Sequence, residues 1–220
     1  MPETYDVAIL GGGNAGYAAA LRAAQLGLSV ALVENQKVGG TCLHRGCIPT
    51  KALLHSAEVT ETIRHAGDFG VIAEEPSIDW AKVLAYKDSV VSKLHKGLEH
   101  VIKQRKVTLV NGKGRLADKS TIELEDATLV KANAVVLATG SYARSLPFIE
   151  IDGKAFITSD HALELDAAPS SFIAIGSGAV GMEFASAFRT FGAEVTVIEA
   201  LPRVAPGEDE EVSKELARQF

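Results

Sequence analysis

The sequence predicts an α/β protein built on parallel sheets. Two observations carry the prediction. Residues 11–34, GGGNAGYAAALRAAQLGLSVALVE, align without gaps on residues 176–199, GSGAVGMEFASAFRTFGAEVTVIE, so the chain holds an internal repeat. Each copy reads in the same order: apolar strand, glycine turn, helix-length apolar segment, second strand, acid. Two such beginnings predict a Rossmann-like domain with a three-layer parallel-sheet core, followed by an incomplete second domain of the same kind.

The elements follow in order. Residues 5–10 read as a buried parallel strand, and residues 15–26 as a helix ending at Gly27, a residue suited to the C′ position. A second strand closes on Glu34. Helices are expected from residue 47 to about 64 and from 80 to about 103, the latter from the spacing of Val83, Leu84, Val90, Val91, Leu94 and Leu98. Residues 107–110 and 114–117 read as strands, 121–125 and 128–132 as a hairpin split at Asp126, and 134–139 as a buried strand before Gly140. Residues 145–170, with Pro147, Gly153 and Pro169, read as the passage between domains 1–145 and 146–220. In the second copy, a strand at 172–175, a helix at 180–191 ending at Gly192 and a strand to Glu199 precede a loop (200–207) and a helix (208–220). A mononucleotide-binding half needs three parallel strands and this copy has two, so the chain is expected to be the N-terminal portion of something longer, with the last segment of its first domain missing.

Composition narrows the function. With 220 residues, 47% hydrophobic, 23% charged and a formal net charge of -6, the chain is an ordinary globular protein whose acidic balance argues against a nucleic-acid partner. No apolar run approaches the ~20 residues of a membrane-spanning helix, and the start lacks the basic region of a secretory signal, so a cytoplasmic protein with no membrane partner is expected.

A G-x-G-x-x-G run is weak alone and gains force from its surroundings. Gly11, Gly13 and Gly16 follow a strand, open a helix and are answered by Glu34; Gly176, Gly178 and Gly181 are answered in the same way by Glu199. The first glycine permits the turn, the second lets a pyrophosphate approach the backbone and the third lets helix and strand pack. First-turn amides, beside Asn14 and Ala15 in one copy and Val180 in the other, then face the anion together with the helix dipole. Each acid accepts from a ribose 2′-hydroxyl and repels a 2′-phosphate, so Glu199 favours NAD over NADP and two dinucleotides are implied. Helix-opening glycines without a ligand are the plainer alternative.

Two cysteines occur, Cys42 and Cys47, within GGTCLHRGCIPTK at residues 39–51. A disulfide between them closes a short ring, a poor staple and a good oxidant. A helix starting near Ile48 and Pro49 places Cys47 at its N-terminus, where the dipole favours a thiolate, with Lys51 four residues on adding positive charge. Zinc held by Cys42, His44, Cys47 and His55, or two unrelated buried thiols, remain as alternatives.

That segment after a first fingerprint, followed by ATG at residues 138–140 and a second fingerprint, resembles the flavin-dependent pyridine nucleotide-disulfide oxidoreductases of class I, and most of all their lipoamide branch. The likeness covers the whole chain. Four residues between the cysteines separate this group from the low-molecular-weight thioredoxin reductases, whose C-x-x-C lies in the other nucleotide domain. The resemblance implies FAD bound by Gly11, Gly13, Asn14, Ala15, Gly16 and Glu34, with Gly40, Thr41, Lys51, Gly114, Thr139 and Gly140 completing its cradle. It implies NAD at Gly176, Gly178, Val180, Gly181 and Glu199. Cys42 would be the interchange thiol and Cys47 the flavin-side thiol, with Lys51 beside the flavin and paired to Glu183, which is otherwise readable as a first-turn carboxylate complementing the helix dipole.

The implied activity is oxidation of dihydrolipoamide to lipoamide with reduction of NAD+ to NADH, on a lipoyl-bearing protein or small dithiol, by a homodimer in its full-length form. Ala179 stands where glutathione reductase-like members commonly carry a gating tyrosine, which agrees with the lipoamide branch; His44 stands where many relatives carry asparagine. A further Gly-Asp flavin contact and the C-terminal dimerisation domain with its His-Glu acid/base pair are not found. His100 and His161 lack the family surroundings and read as surface residues. An NADPH-linked disulfide or mercuric reductase relative, and an inert flavin-binding fragment, are the alternatives.

Overall fold

The computed structural model describes residues 4–220. They divide into two compact units, one of the chain up to Ile48 with Ser89–Arg144, the other of Pro49–Asp88 with Ser145–Phe220.

In the first unit the chain runs through β1 (Tyr5–Leu10), α1 (Asn14–Gln25), β2 (Val30–Glu34) and α2 (Gly40–Arg45), and into the start of α3 (Cys47–Arg64). It returns in the C-terminal part of α4 (Trp80–Gln104) and ends with β3 (Thr108–Asn111), β4 (Gly114–Asp118), β5 (Thr121–Leu124) and β6 (Leu129–Leu137). The six strands lie in the order β3-β2-β1-β6-β5-β4. β1 is parallel to β2 and β6, and β2 to β3, while β4, β5 and β6 pair antiparallel.

Alternation along the central strands places apolar side chains on both faces of the sheet. In β2, Val30 and Leu32 join Ile9, Ala20 and Ile102 on the helical side, whereas Ala31 and Val33 join Ile122, Leu124 and Val130 on the other. Helices, parallel sheet and antiparallel meander therefore make three layers, as the sequence predicts. One detail differs. The expected hairpin strand at 128–132 and separate strand at 134–139 are a single β6, antiparallel to β5 near Leu129 and parallel to β1 from Ala132 onward. Its end is open rather than buried: Val136 is 37% and Leu137 58% exposed.

The second unit holds the rest of α3, the start of α4, a single turn α5 (Ser159–Ala162), β7 (Ser171–Ile175), α6 (Ala179–Thr190), β8 (Glu194–Ile198) and α7 (Glu210–Gln219). β7 and β8 pair in parallel with Phe172 opposite Val195. Their core gathers Leu53, Trp80, Leu163, Phe184 and Phe188. The end of segment 145–170 is packed structure rather than a bare passage. Thr158 and His161 form a capping box on α5, Leu163 is buried, and Trp80 Nε1 donates to Leu165 O at 2.6 Å. Apolar side chains anchor it where the Pro and Gly content alone signals a loop.

Candidate redox centre and nucleotide-binding turns

The first glycine turn is set by close approach. Gly11 has φ +104°, and a side chain there would run into Ala138 O, with Thr139 Cα 3.2 Å from the added carbon. A Cβ on Gly16 would overlap Gly11 O, so the third glycine lets α1 lie against the turn. Among the described residues no side chain caps α1 at Gly13, which leaves the orphan amides of its first turn, beside Asn14 and Ala15, to a ligand or to water. Glu34 ends β2 with Oε2 accepting from Gly12 N at 2.7 Å and Oε1 from Gln36 N at 2.8 Å. Gly114 opens β4 against the ends of β1 and β2: a Cβ there would stand 3.0 Å from Leu10 Cδ1 and 3.3 Å from Val33 Cγ1. Thr139 and Gly140 follow β6 and are exposed.

The cysteine segment docks on this turn. Gly39 N donates to Gly12 O at 2.8 Å from a left-handed backbone (φ +118°), and a Cβ on Gly40 would lie 2.6 Å from Gly13 Cα. Only backbone on both sides permits that approach. Thr41, exposed, and Cys42, half-buried, follow on α2, and Cys42 is disulfide-bonded to the exposed Cys47, the first residue of α3, with the Cα atoms 4.7 Å apart. The sulfurs are thus spent on each other. The histidines of the zinc alternative are engaged elsewhere, His44 Nε2 with Val38 O at 2.9 Å and His55 Nδ1 with Glu58 at 3.0 Å. His44, between the two cysteines, also meets His95 edge-on, ring centroids 5.0 Å apart. Burial holds the His95 pKa down, opposed by Glu99 and reinforced by His44 and Lys37.

In the second unit the same turn recurs. A Cβ on Gly181 would overlap Gly176 O, no side chain among the described residues caps α6 at Gly178, and Val180 in its first turn is 54% exposed. Glu199 Oε2 accepts from Ser177 N at 2.9 Å and Ser177 Oγ at 2.7 Å, and Oε1 accepts from Leu201 N at 2.9 Å. Those bonds, the Ser177 amide first, lower its pKa from 4.5 to about 2. Lys51 Nζ meets Glu183 Oε1 at 2.5 Å. Glu183 lies beyond the first turn of α6, which holds no acid, so its carboxylate answers Lys51 rather than the helix dipole. A cleft of about 530 Å³ between α3 and α6, lined by Lys51, Leu54, His55, Glu58, Ser186 and Thr190, shares only Lys51 with the expected site residues.

The first unit therefore brings together Gly11, Gly13, Gly16, Glu34, Gly40, Thr139 and the disulfide, and the second brings together Gly176, Gly181, Glu199 and, separately, Lys51 with Glu183. Three contributors were not singled out from sequence: Gly39, His95 and Ser177. For Ser177 a signal existed, since it occupies the repeat position of Gly12.

Comparison with known proteins agrees with this geometry. The chain is similar to dihydrolipoyl dehydrogenases of Bacillus subtilis (47% identical over 98% of this chain and 48% of that protein), Zymomonas mobilis (42%, over 100% and 48%) and Chlamydia pneumoniae (40%, over 100% and 48%). It spans about half the length of these curated relatives. The family profile described as pyridine nucleotide-disulphide oxidoreductase matches residues 5–220. A redox-suited disulfide docked on one glycine turn, a second such turn in the same chain and a family match over nearly every residue lead to one conclusion: this chain belongs to the pyridine nucleotide-disulphide oxidoreductases.

Proposed function

We propose that the protein to which these residues belong oxidises dihydrolipoamide, free or carried on a lipoyl-bearing protein, and delivers the electrons through Cys42 and Cys47 to FAD and then NAD, working as a homodimer in its full-length form. The observation that carries this is the docking of the Cys42–Cys47 disulfide on the first glycine turn, through the Gly39–Gly12 hydrogen bond and the Gly13–Gly40 approach. The residues present suit both groups. The uncapped start of α1 with Glu34 behind it fits the pyrophosphate and ribose of FAD, and the uncapped start of α6 with Glu199 fits those of NAD.

A substrate thiolate attacks Cys42 Sγ, forming a mixed disulfide as the Cys42–Cys47 bond breaks and its electron pair leaves on Cys47 Sγ. The N-terminus of α3 favours that thiolate. The second substrate thiolate then attacks the substrate sulfur of the mixed disulfide, so the substrate departs as a disulfide and Cys42 as a thiolate. Two electrons have entered the cysteine pair and two protons have left the dithiol. FAD, when bound, supplies the route from the Cys47 thiolate onward and hydride transfer to NAD. In this proposal Thr41, Gly114, Thr139 and Gly140 of the first unit would complete the cradle for FAD, and in the second unit Glu183 holds the Lys51 ammonium.

The test is NADH formation by the whole protein supplied with dihydrolipoamide and NAD+. Wild type is expected to turn over, and C42S and C47S to be inactive. A wild-type protein that holds flavin yet makes no NADH rules the proposal out.

A further inference from the structure

The two glycine turns superimpose residue for residue in sequence and differ at one buried position next to each acid: Gly12 in the first, Ser177 in the second. We propose that Ser177 is a positioning residue for coenzyme choice, its hydroxyl fixing the Glu199 carboxylate so that the second turn accepts a ribose hydroxyl and rejects a ribose phosphate. This rests on the second turn being the NAD site.

Ser177 is fully buried. Its Oγ donates to Glu199 Oε2 at 2.7 Å and accepts from Ala205 N at 3.1 Å. A hydroxyl has one proton to give. With the Ala205 amide on its lone pair, that proton is committed to the carboxylate. Ala205 is held in turn: it has φ +45°, its N–H also reaches Ser177 O at 3.0 Å, and its carbonyl accepts from the buried Ser213 Oγ of α7 at 3.2 Å. The loop after β8 is therefore folded around this hydroxyl.

The first turn is an internal control. There Gly12 N donates to Glu34 Oε2 at 2.7 Å, so the backbone half of the arrangement is present and the hydroxyl is not. Glu199 has three donors, two on one oxygen, and so cannot rotate from an approaching phosphate without breaking them. A carboxylate released from Ser177 gains rotational freedom, loses a charge-assisted bond and opposes a phosphate less. Removing Oγ leaves the Ala205 amide its bond to Ser177 O, so the loop keeps an anchor.

The experiment measures Kd for NADH and NADPH by calorimetry, with KM and kcat for each coenzyme, on the whole protein as wild type, Ser177→Ala and Ser177→Gly. Both variants are expected to lose about tenfold of the preference for NADH over NADPH, the worth of one hydrogen bond to a charged group. The loss should appear in Kd and KM with kcat at saturating NADH unchanged. Should Ser177→Ala fold poorly, Ser177→Gly carries the same expectation with the residue the first turn already uses. A preference unchanged within about twofold, or equal weakening of both coenzymes, overturns the role of Ser177 while leaving the NAD site standing. Wild type that binds neither coenzyme, or prefers NADPH, overturns both.

Discussion

A lysine with 1% of its surface exposed has to satisfy its ammonium inside the protein, and Lys87 does so with Leu163 O at 2.7 Å, Glu164 at 2.7 Å and Asp88 at 3.2 Å. Lys87→Met keeps the apolar stem but strands the Leu163 carbonyl. A loss of about 1–3 kcal/mol is expected, read as a lower denaturant midpoint at unchanged slope. Glu164→Gln should cost far less, because that side chain is 70% exposed and its partnership is screened by water. Glu199 sets a pH dependence of known sign. Its folded-state pKa is depressed from 4.5 to about 2, so its contribution to stability is complete above about pH 4.5 and is lost as pH falls toward 2. Glu199→Gln should flatten the acid limb of an unfolding titration within that window; an unaltered limb contradicts the assignment. Sequence revealed Glu34 and Glu199 because each closes a strand at the same distance from its glycine turn. Lys87 stayed hidden, since a lysine on a long helix reads as solvated and its carbonyl partner lies 76 residues away.

Between α2 and α4 the same substitution, glycine to alanine, changes sign. A Cβ on Gly40 would come 2.6 Å from Gly13 Cα, backbone that cannot turn aside, so Gly40→Ala must push α2 off the first turn. Loss of bound flavin on gel filtration is expected, with melting lowered by several degrees, at about 2–4 °C per kcal/mol for a chain of this size. Gly97 lies within α4 with nothing among the other described residues within 4 Å of an added Cβ beyond the helix's own backbone, and Gly97→Ala should stabilise by about 0.5–1 kcal/mol because the unfolded chain loses freedom at no steric cost. The long elements were legible in their apolar spacing, and α4 occupies nearly the stretch that spacing predicts. α2 was not. It has six residues between Gly39 and Gly46, too few for a period to register, and its helical form depends on docking against a turn far away in sequence.

Taken as a whole, the 220-residue chain presents apolar surface on its two-stranded sheet, where Ile173 is 62%, Ile175 54% and Ile198 52% exposed. Purified alone, this chain is expected to bind a hydrophobic dye and to associate as concentration rises, measured by sedimentation; Ile173→Lys should weaken both, and a monomer without dye binding at all concentrations would contradict this. That the second sheet has two strands could be counted from sequence. The membership of residues 49–88 in the second unit could not, because it depends on Leu53, Trp80 and Lys87 finding partners beyond residue 160. The Gly39–Gly12 hydrogen bond ties the disulfide-bearing segment directly to the first glycine turn. Coupling free energies are reciprocal: if an occupant of the turn clings more tightly when the sulfurs are joined, the joined sulfurs resist reduction by the same factor when it is present. Tightness of grip and readiness to take up electrons would then be a single adjustable quantity, set where two backbones touch.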